Sequence, residues 1–372
     1  MTEAQARRTD GENAELTRRF HRRGQMENDH REVTIMKLAI IGTGKIVHDA
    51  LFAMAPLTQI QLGAVFARPH SRDKGEALAA QYGIAEVYTD YDALLERADI
   101  DTVYIGLVNS AHYAYARRAL EKGKHVILEK PFTGTLAEAE DLFRLAGAQG
   151  RYVFEAITVL HNEVIEKMRA DLPKLGRIRM MLSNYSQYSS RYDRYLAGDV
   201  DPSFDPALQG GALRDINVYN IHYAAALFGA PLGTRYFPNI GFNGVDTSGT
   251  LVMTYDGFSA VCTAAKDSDS PCFVCVQGEK GWMRIDGKPN VAPNLTTVLF
   301  DDSRERVRDS AGGMVRASET QTLVPAPARH RMTREFEDFA RIIDGHDDAA
   351  AAALARETLD VMRVLEACAQ HD

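Results

Sequence analysis

The run Lys37-Leu38-Ala39-Ile40-Ile41-Gly42-Thr43-Gly44-Lys45-Ile46-Val47 constrains this chain more than any other stretch. An apolar segment free of turn formers gives way at once to two glycines one residue apart. The segment reads as a buried parallel strand. Gly42 permits a tight turn out of it, and Gly44 leaves room for a pyrophosphate against the backbone. From Lys45 the chain can open a helix whose N-terminal amides favour negative charge. Thr43, Lys45 and Ile46 belong to the same candidate cradle. One position departs from G-x-G-x-x-G/A: the third small residue is Val47, so helix and strand are expected to pack less closely there.

At 372 residues the chain has room for two domains. A net charge of -8 argues against a nucleic-acid binder, which needs clustered Lys and Arg. No apolar run is long enough to span a bilayer. Cys262, Cys272, Cys275 and Cys368 are too few for a disulfide scaffold. Cys272-Phe273-Val274-Cys275 reads as a strand that puts its thiols on opposite faces, with no second pair to complete a zinc site; no metal is expected. Residues 1–35 mix Arg with Glu and Asp and hold one aromatic, Phe20. They read as a disordered arm, or as an upstream start that adds nothing, whose deletion is expected to leave melting temperature and activity unchanged. With no leader signal in that arm, a cytoplasmic protein is expected.

Beyond the glycines, strands alternate with helices. Candidate strands are Gln59 to Phe66, Glu86 to Tyr88, Ile100 to Gly106, His125 to Leu128 and Tyr152 to Glu155. That alternation specifies a doubly wound parallel sheet. A carboxylate at the end of the second strand would bind the ribose 2′-hydroxyl of NAD. The slot falls near Ala67 instead, followed by Arg68 and Arg72. Arginines there suit a 2′-phosphate, so NADP is favoured over NAD; the alternative is that both are solvated helix-start charges.

The run Asp101-Thr102-Val103-Tyr104-Ile105, then Asn109-Ser110-Ala111-His112-Tyr113, then Gly123-Lys124-His125-Val126-Ile127-Leu128-Glu129-Lys130-Pro131 resembles the glucose-fructose oxidoreductase, inositol dehydrogenase and rhizopine-catabolism (Gfo/Idh/MocA) family. The likeness extends over nearly the whole chain from Met36. Its hallmark is Glu-Lys-Pro at the end of the fifth strand. Val108 stands where a proline is usual, which leaves the shape of that loop open. The resemblance implies a catalytic or substrate-orienting Lys130 beside a nicotinamide, and a cofactor held also by Leu107, Asn109, His112 and Glu129.

After a helix from Leu160 to Leu172, strands with turn signals recur from Arg177 onward, at Leu251–Tyr255, Ser259–Ala264, Phe273–Gln277 and Trp282–Ile285. They read as an antiparallel meander with one exposed face. In the family such a face meets another subunit, so a homodimer or homotetramer is expected. Within this half, Gly210-Gly211 precedes a helix carrying Asp215, Tyr219 and His222 at spacings of four and three, on one face. Taken alone it is an ordinary amphipathic helix. The resemblance places it opposite the lysine, and because many members carry Asp-x-x-x-His where this chain has Asp-x-x-x-Tyr, it assigns the acid/base role to Tyr219. A phenol can protonate a carbonyl oxygen that receives a hydride. Its reference pKa of about 10 would fall beside the Lys130 ammonium; reaching 7 takes roughly 4 kcal/mol. Asp215 would orient the pair. The hydroxyl- and amide-rich run Asn184 to Tyr192 suits a polyhydroxylated ligand, with Gln187, Tyr188, Arg191 and His222 as candidate contacts.

The expected architecture is therefore α/β: an N-terminal Rossmann-type domain over 36–156, an α+β domain with an open, mainly antiparallel sheet over 157–328, and C-terminal helices over 329–372 that pack back on the first domain. The expected activity is hydride transfer between NAD(P) and a carbinol or carbonyl carbon of a sugar-like or polyol substrate. The alternatives are a non-enzymatic dinucleotide-sensing regulator and a diol or carbonyl reductase acting on non-sugar substrates.

Overall fold

The computed structural model describes residues 35–369; the arm expected over 1–35 lies almost wholly outside them. Six parallel strands form the first sheet: β1 (Met36–Ile41), β2 (Ile60–Phe66), β3 (Glu86–Tyr88), β4 (Thr102–Ile105), β5 (His125–Glu129) and β6 (Val153–Ala156). Their order is β3-β2-β1-β4-β5-β6. The order reverses between β1 and β4, the crevice where open α/β sheets bind ligands. Leu38, Ala39, Ile40 and Ile41 are completely buried, as expected of a strand covered on both faces. The covering helices are α1 (Lys45–Met54), α2 (Arg72–Tyr82), α3 (Tyr91–Leu95), α4 (His112–Glu121) and α5 (Leu136–Ala148). Thr135 and Glu138 close a capping box on α5, which fixes where the chain after Lys130 re-enters a helix.

The helix expected over Leu160–Leu172 is a 3-10 turn at Thr158–His161 followed by α6 (Glu163–Asp171), because the Asn162 side chain caps a new start by accepting from Ile165 N–H at 3.0 Å. The second sheet is built from β7 (Ile178–Ser186), then, after the short helix α7 (Tyr192–Leu196) and α8 (Val218–Phe228), from β8 (Gly233–Ile240), β9 (Asp246–Tyr255), β10 (Phe258–Ala265), β11 (Phe273–Gly278), β12 (Gly281–Asp286) and β13 (Leu295–Phe300). A small hairpin of β14 (Val307–Arg308) and β15 (Met314–Val315) precedes its last strand, β16 (Ser318–Leu323).

The order is β16-β13-β12-β11-β7-β10-β9-β8. It is mainly antiparallel but not a simple meander, since β10 pairs β7 in parallel. The reason is the long excursion through α7 and α8. The chain leaves β7, returns to build β8, β9 and β10, and docks the last of these beside β7. Local turn residues announce hairpins but carry no record of such a return. Pro238 lies in β8, an edge strand, where a missing N–H is tolerated. α8 covers one face of the sheet; on the other, Met180 and Phe237 are exposed.

Two terminal helices tie the parts together. α9 (Thr333–Gly345) places Phe336 and Phe339 in a core shared with Leu38, Ile40, Val47 and Leu51. α10 (Asp348–Ala369) packs on α5 and β6 of the first sheet and equally on α8. Among the described residues no helix is long and apolar enough to cross a membrane.

Candidate active site

A cleft of about 680 Å³ runs along the C-terminal ends of β1, β2, β4 and β5. Gly42 has φ +124°, and a Cβ there would lie 2.5 Å from the Gly106 carbonyl oxygen. The position is restricted to glycine by conformation and by space. A Cβ on Gly44 would meet nothing within 4 Å, so its bare backbone faces open cleft. No side chain caps α1, and its first turn carries no carboxylate, which leaves helix-start amides available to an anion. The bulk of Val47 is accommodated from the other side. A Cβ on Gly106 would stand 2.8 Å from Val47 Cγ2, so Gly106 supplies the missing space. Val108 holds φ -67°, the value a proline ring would impose, with ψ 146°, so its loop keeps a proline-like path.

Thr43, Lys45, Ile46, Ala67, Arg68, Leu107, Asn109, Glu129 and Lys130 also line the cleft. His70, Ser71 and Lys74 join Arg68 at the β2 end. Asn109 donates to the Gln209 carbonyl at 2.9 Å, tying the loop after β4 to the segment before Gly210.

At the opposite end, the β5 terminus delivers Lys130, whose peptide bond to Pro131 is cis. Its Nζ donates to the Asp215 backbone carbonyl at 2.6 Å and to Asp215 Oδ1 at 3.0 Å. It lies 5.2 Å from the centre of the Tyr219 ring. Asp215 stands in a π-helical turn, Leu213–Asn217, that opens α8. The turn starts where Gly211, at φ +118°, brings the chain against Asp246 and Leu213 N–H reaches Asp246 Oδ2 at 2.7 Å. Arg214 donates to the Gly134 carbonyl at 2.9 Å, which locks this turn to the loop following Lys130. Lys266, just past β10, occupies the other carboxylate oxygen, with Nζ 2.8 Å from Asp215 Oδ2.

The charges follow from this packing. Burial works against ionised Asp215, but Lys130 and Lys266 outweigh it and hold the carboxyl well below the usual range. Burial likewise opposes the Lys130 charge, yet Tyr219 and Asp215 keep that ammonium above its ordinary value. For Tyr219 the net direction is upward: desolvation raises the phenol, and the pull of Lys130 and Arg331 only partly offsets it. The expectation that Lys130 alone would bring the phenol down left out this burial. Glu129 accepts from the Tyr104 hydroxyl at 2.7 Å and is also pushed up by burial.

Residues 36–157 match the oxidoreductase family with an NAD-binding Rossmann fold, and residues 168–284 match the GFO/IDH/MocA C-terminal domain. The chain is 36% identical to scyllo-inositol 2-dehydrogenase (NADP(+)) of Bacillus subtilis (strain 168), over 73% of this chain and 81% of that protein. The chain belongs to the Gfo/Idh/MocA oxidoreductase family. D-xylose 1-dehydrogenase (NADP(+)) 2 of Haloferax volcanii is 28% identical over 89% of this chain and 96% of its own length. A 3-ketoreductase from Actinomadura kijaniata, solved with NADP and TDP-benzene, shares the fold with a TM-score of 0.74 and 22% identity, covering 90% of this chain and 97% of that one. As a member of this family the chain is an NAD(P)-binding oxidoreductase.

Not every residue singled out from the sequence of this Gfo/Idh/MocA protein reaches the cleft. Arg72 is exposed and bonded to Glu76 at 2.7 Å, one turn along its own helix, while Arg68 faces the cavity. His112 is buried between the Pro131 and Leu107 carbonyls, at 3.0 and 3.2 Å from its two ring nitrogens. It braces the two loops that carry Lys130 and Asn109 and does not line the cavity. His222 is fully buried, 3.5 Å from Glu155 and 3.8 Å from Glu357. Asp215 and Tyr219 both meet Lys130, but of the two only Asp215 lines the cavity. His222, three residues further along α8, is enclosed by Glu155 and Glu357 instead.

Gln187 accepts from Lys288 at 2.7 Å, and exposed Tyr188 donates to Asp193 at 2.6 Å; neither lines the cavity. Arg191 does, paired with Asp201 at 3.0 Å. Sequence reasoning missed Lys74, Ser203, Lys266 and Arg331. Lys266 ends an apolar strand, Ala264-Ala265-Lys266, the same signal that singled out Lys130. Arg331 precedes a helix far away in sequence and gave none.

Proposed function

We propose that this chain is an NADP-dependent dehydrogenase or reductase that interconverts a secondary alcohol and a ketone, or a lactol and a lactone, on a sugar-like or cyclic polyol substrate. The observation that carries the reading is the meeting of Lys130, at the end of β5, with Asp215 from the turn before α8, both lining the cleft that begins with Gly42 and Gly44, and with the Tyr219 ring packed beside the ammonium. The open backbone at Gly44 and the uncapped start of α1 fit a pyrophosphate. Arg68, His70, Ser71 and Lys74, with no carboxylate at the end of β2, suit a 2′-phosphate. The inositol and xylose relatives, both named for NADP(+), support cofactor and substrate class alike.

A bound nicotinamide would supply hydride exchange. The chain's own task is the proton. Tyr219 gives its hydroxyl proton to the carbonyl oxygen in the reducing direction and recovers it in the oxidising direction. Lys130, kept charged by Asp215, stabilises negative charge on that oxygen or on the phenolate. A phenol held high by burial is a stable proton donor at neutral pH, so oxidation should speed up as pH rises.

The exposed face of the second sheet supports a homo-oligomer, and four free cysteines support a reducing compartment, the cytoplasm. The test is absorbance of reduced nicotinamide with NADP(+) and a panel of inositols, aldoses and trans-diols. Turnover on a polyol or aldose supports the reading. Turnover confined to aromatic diols would replace the substrate class, and none at all would overturn the assignment.

A further inference from the structure

Lys266 is a lysine with only 3% of its surface exposed, outside every motif discussed above. Its ammonium makes three contacts. Asp215 Oδ2 lies 2.8 Å away, the Ser203 carbonyl accepts a hydrogen bond, and the Phe204 ring centre lies 4.0 Å off. Phe204 is itself fixed, completely buried in a small core with Tyr195 and Val245. Ser203 lines the cleft. The Asp215 carboxylate is thus shared: Lys130 takes Oδ1 and Lys266 takes Oδ2.

We propose that Lys266 is a positioning residue for the proton transfer, holding Asp215 from the side opposite Lys130 and thereby fixing the Lys130 ammonium and the positive charge felt by Tyr219. This rests on the functional reading above. A carboxylate gripped by one lysine can rotate; gripped at both oxygens by ammoniums from separate strands, it cannot. Lys130 and Arg331 pull the phenol down while Glu129 and Asp215 push it up, so Lys266 acts on it through the carboxylate that it shares with Lys130. Burying a lysine that merely props a loop is expensive, and an apolar side chain of similar volume would pack there more cheaply. The other charged or titratable groups around Tyr219 and Asp215 are Glu129 and Lys130 at the β5 end, Tyr185 on β7, Asp246 on β9 and Arg331 before α9. Among the described residues, Lys130 and Lys266 are the two that pair with the Asp215 carboxylate.

The experiment is a pH–rate profile for alcohol oxidation by the full-length protein with saturating NADP(+), comparing wild type, Lys266→Met and Lys266→Arg. Without Lys266 the Asp215 carboxylate is less neutralised and its negative charge acts more strongly on the phenol, which makes the phenol harder to ionise. The rising limb of Lys266→Met should therefore move up by about one pH unit, and its rate at neutral pH should fall about tenfold. The KM for NADP(+) should not change. Lys266→Arg should keep the wild-type limb. In an Asp215→Asn background, Lys266→Met should cost less than about twofold more, because its effect passes through Asp215.

An unmoved limb in Lys266→Met, or a full additional loss in the Asp215→Asn background, overturns the proposal. If Lys266→Met gives no cooperative melt, Lys266→Arg decides alone: a wild-type limb supports the role and a displaced one overturns it. Absence of wild-type turnover would sink the functional reading and this proposal together. Wild-type turnover with an unmoved limb would sink only this one.

Discussion

The two ends of the cleft hold positive charge in opposite ways. At the β2 end, Arg68, His70, Ser71 and Lys74 come from one short segment, and Arg68, His70 and Lys74 are exposed. At the other end, Lys130, Asp215, Tyr219, Lys266 and Arg331 come from four separate places in the chain and are largely withdrawn from water. Exposed charges are screened and cheap to carry, so they select a ligand without disturbing the fold. Buried ones must be paired to exist at all, and that pairing fixes their geometry. On the proposed reading, the difference separates recognition, where a cation can be moved or lost at modest cost, from chemistry, where Lys130 and Lys266 are locked by one carboxylate.

The largest effect should follow removal of Lys130. Lys130→Met leaves Asp215 held only by Lys266 and strips Tyr219 of the ammonium over its ring. We expect turnover to fall by about a thousandfold or more, in the range for losing a preorganised charge at the reacting atom. NADP(H) affinity, measured by nicotinamide fluorescence, should change by less than about fivefold, since Arg68 and the glycine turn are untouched. A comparable collapse in affinity would show that the two ends are not separable. Tyr219→Phe comes next. It keeps the ring packed 5.8 Å from Tyr185 and removes only the hydroxyl. Turnover should drop about a hundredfold, as expected for losing a general acid. Near-normal turnover would take Tyr219 out of the proton path and leave Lys130 as the donor.

The exposed end sharpens the contrast. Arg68→Ala with Lys74→Ala should raise the KM for NADP(+) by about tenfold at low salt and leave kcat within about twofold. The KM for NAD(+) should stay nearly constant. The penalty should shrink as ionic strength rises, because these side chains lie in solvent. A salt-independent penalty, or an equal loss for both dinucleotides, would mean that the segment contributes to structure and not to 2′-phosphate recognition.

How much of this could be read in advance depends on how local the determining signal was. The first sheet was legible because each βα unit carries its own record: an apolar run, a glycine or Asn-Ser stop, then a helix. Lys130 was legible for the same reason, as a polar break at the end of a buried run. The second sheet was legible in its hairpins and not in its order, because the parallel pairing of β7 with β10 joins segments separated by α7 and α8. Asp215, Tyr219 and His222 were read as one face because spacing does not show what encloses each residue: Tyr219 meets Lys130, while His222 is enclosed by Glu155 and Glu357. The π turn that opens the helix was not announced either, since it starts where Gly211 approaches Asp246, more than thirty residues away. Arg72 was misassigned because a helix start offers two adjacent arginine-rich positions and only the fold decides which faces inward. Lys266 carried the same polar break at a strand end as Lys130 but no motif around it, and Arg331, which reaches the cleft from just before α9, left no local trace.

His222 offers the finest test, because it is buried like the chemical end yet lies away from the cleft. Glu155 on β6 and Glu357 on α10 face it from two sides, and Arg169 on α6 is bound to Glu357 at 3.0 Å. Burial opposes its charge, but the two carboxylates outweigh that and push the imidazole up to about 9. A folded-state value above the unfolded 6.5 means that protonation favours the native state. The stabilisation is complete below about pH 6.5 and is lost progressively as pH rises toward 9. Replacing His222 by Asn should therefore lower Tm by roughly 5 °C at pH 6, with the gap to wild type narrowing toward pH 9. Turnover should stay within about threefold, since the cluster reaches Lys130 only indirectly, through Glu155 accepting from Phe132 N–H at 3.1 Å. A pH-independent gap would mean that His222 is neutral and held by packing. A loss of turnover matching that of Tyr219→Phe would mean that buried charge outside the cleft governs the chemistry too, and the division between the two ends would no longer hold.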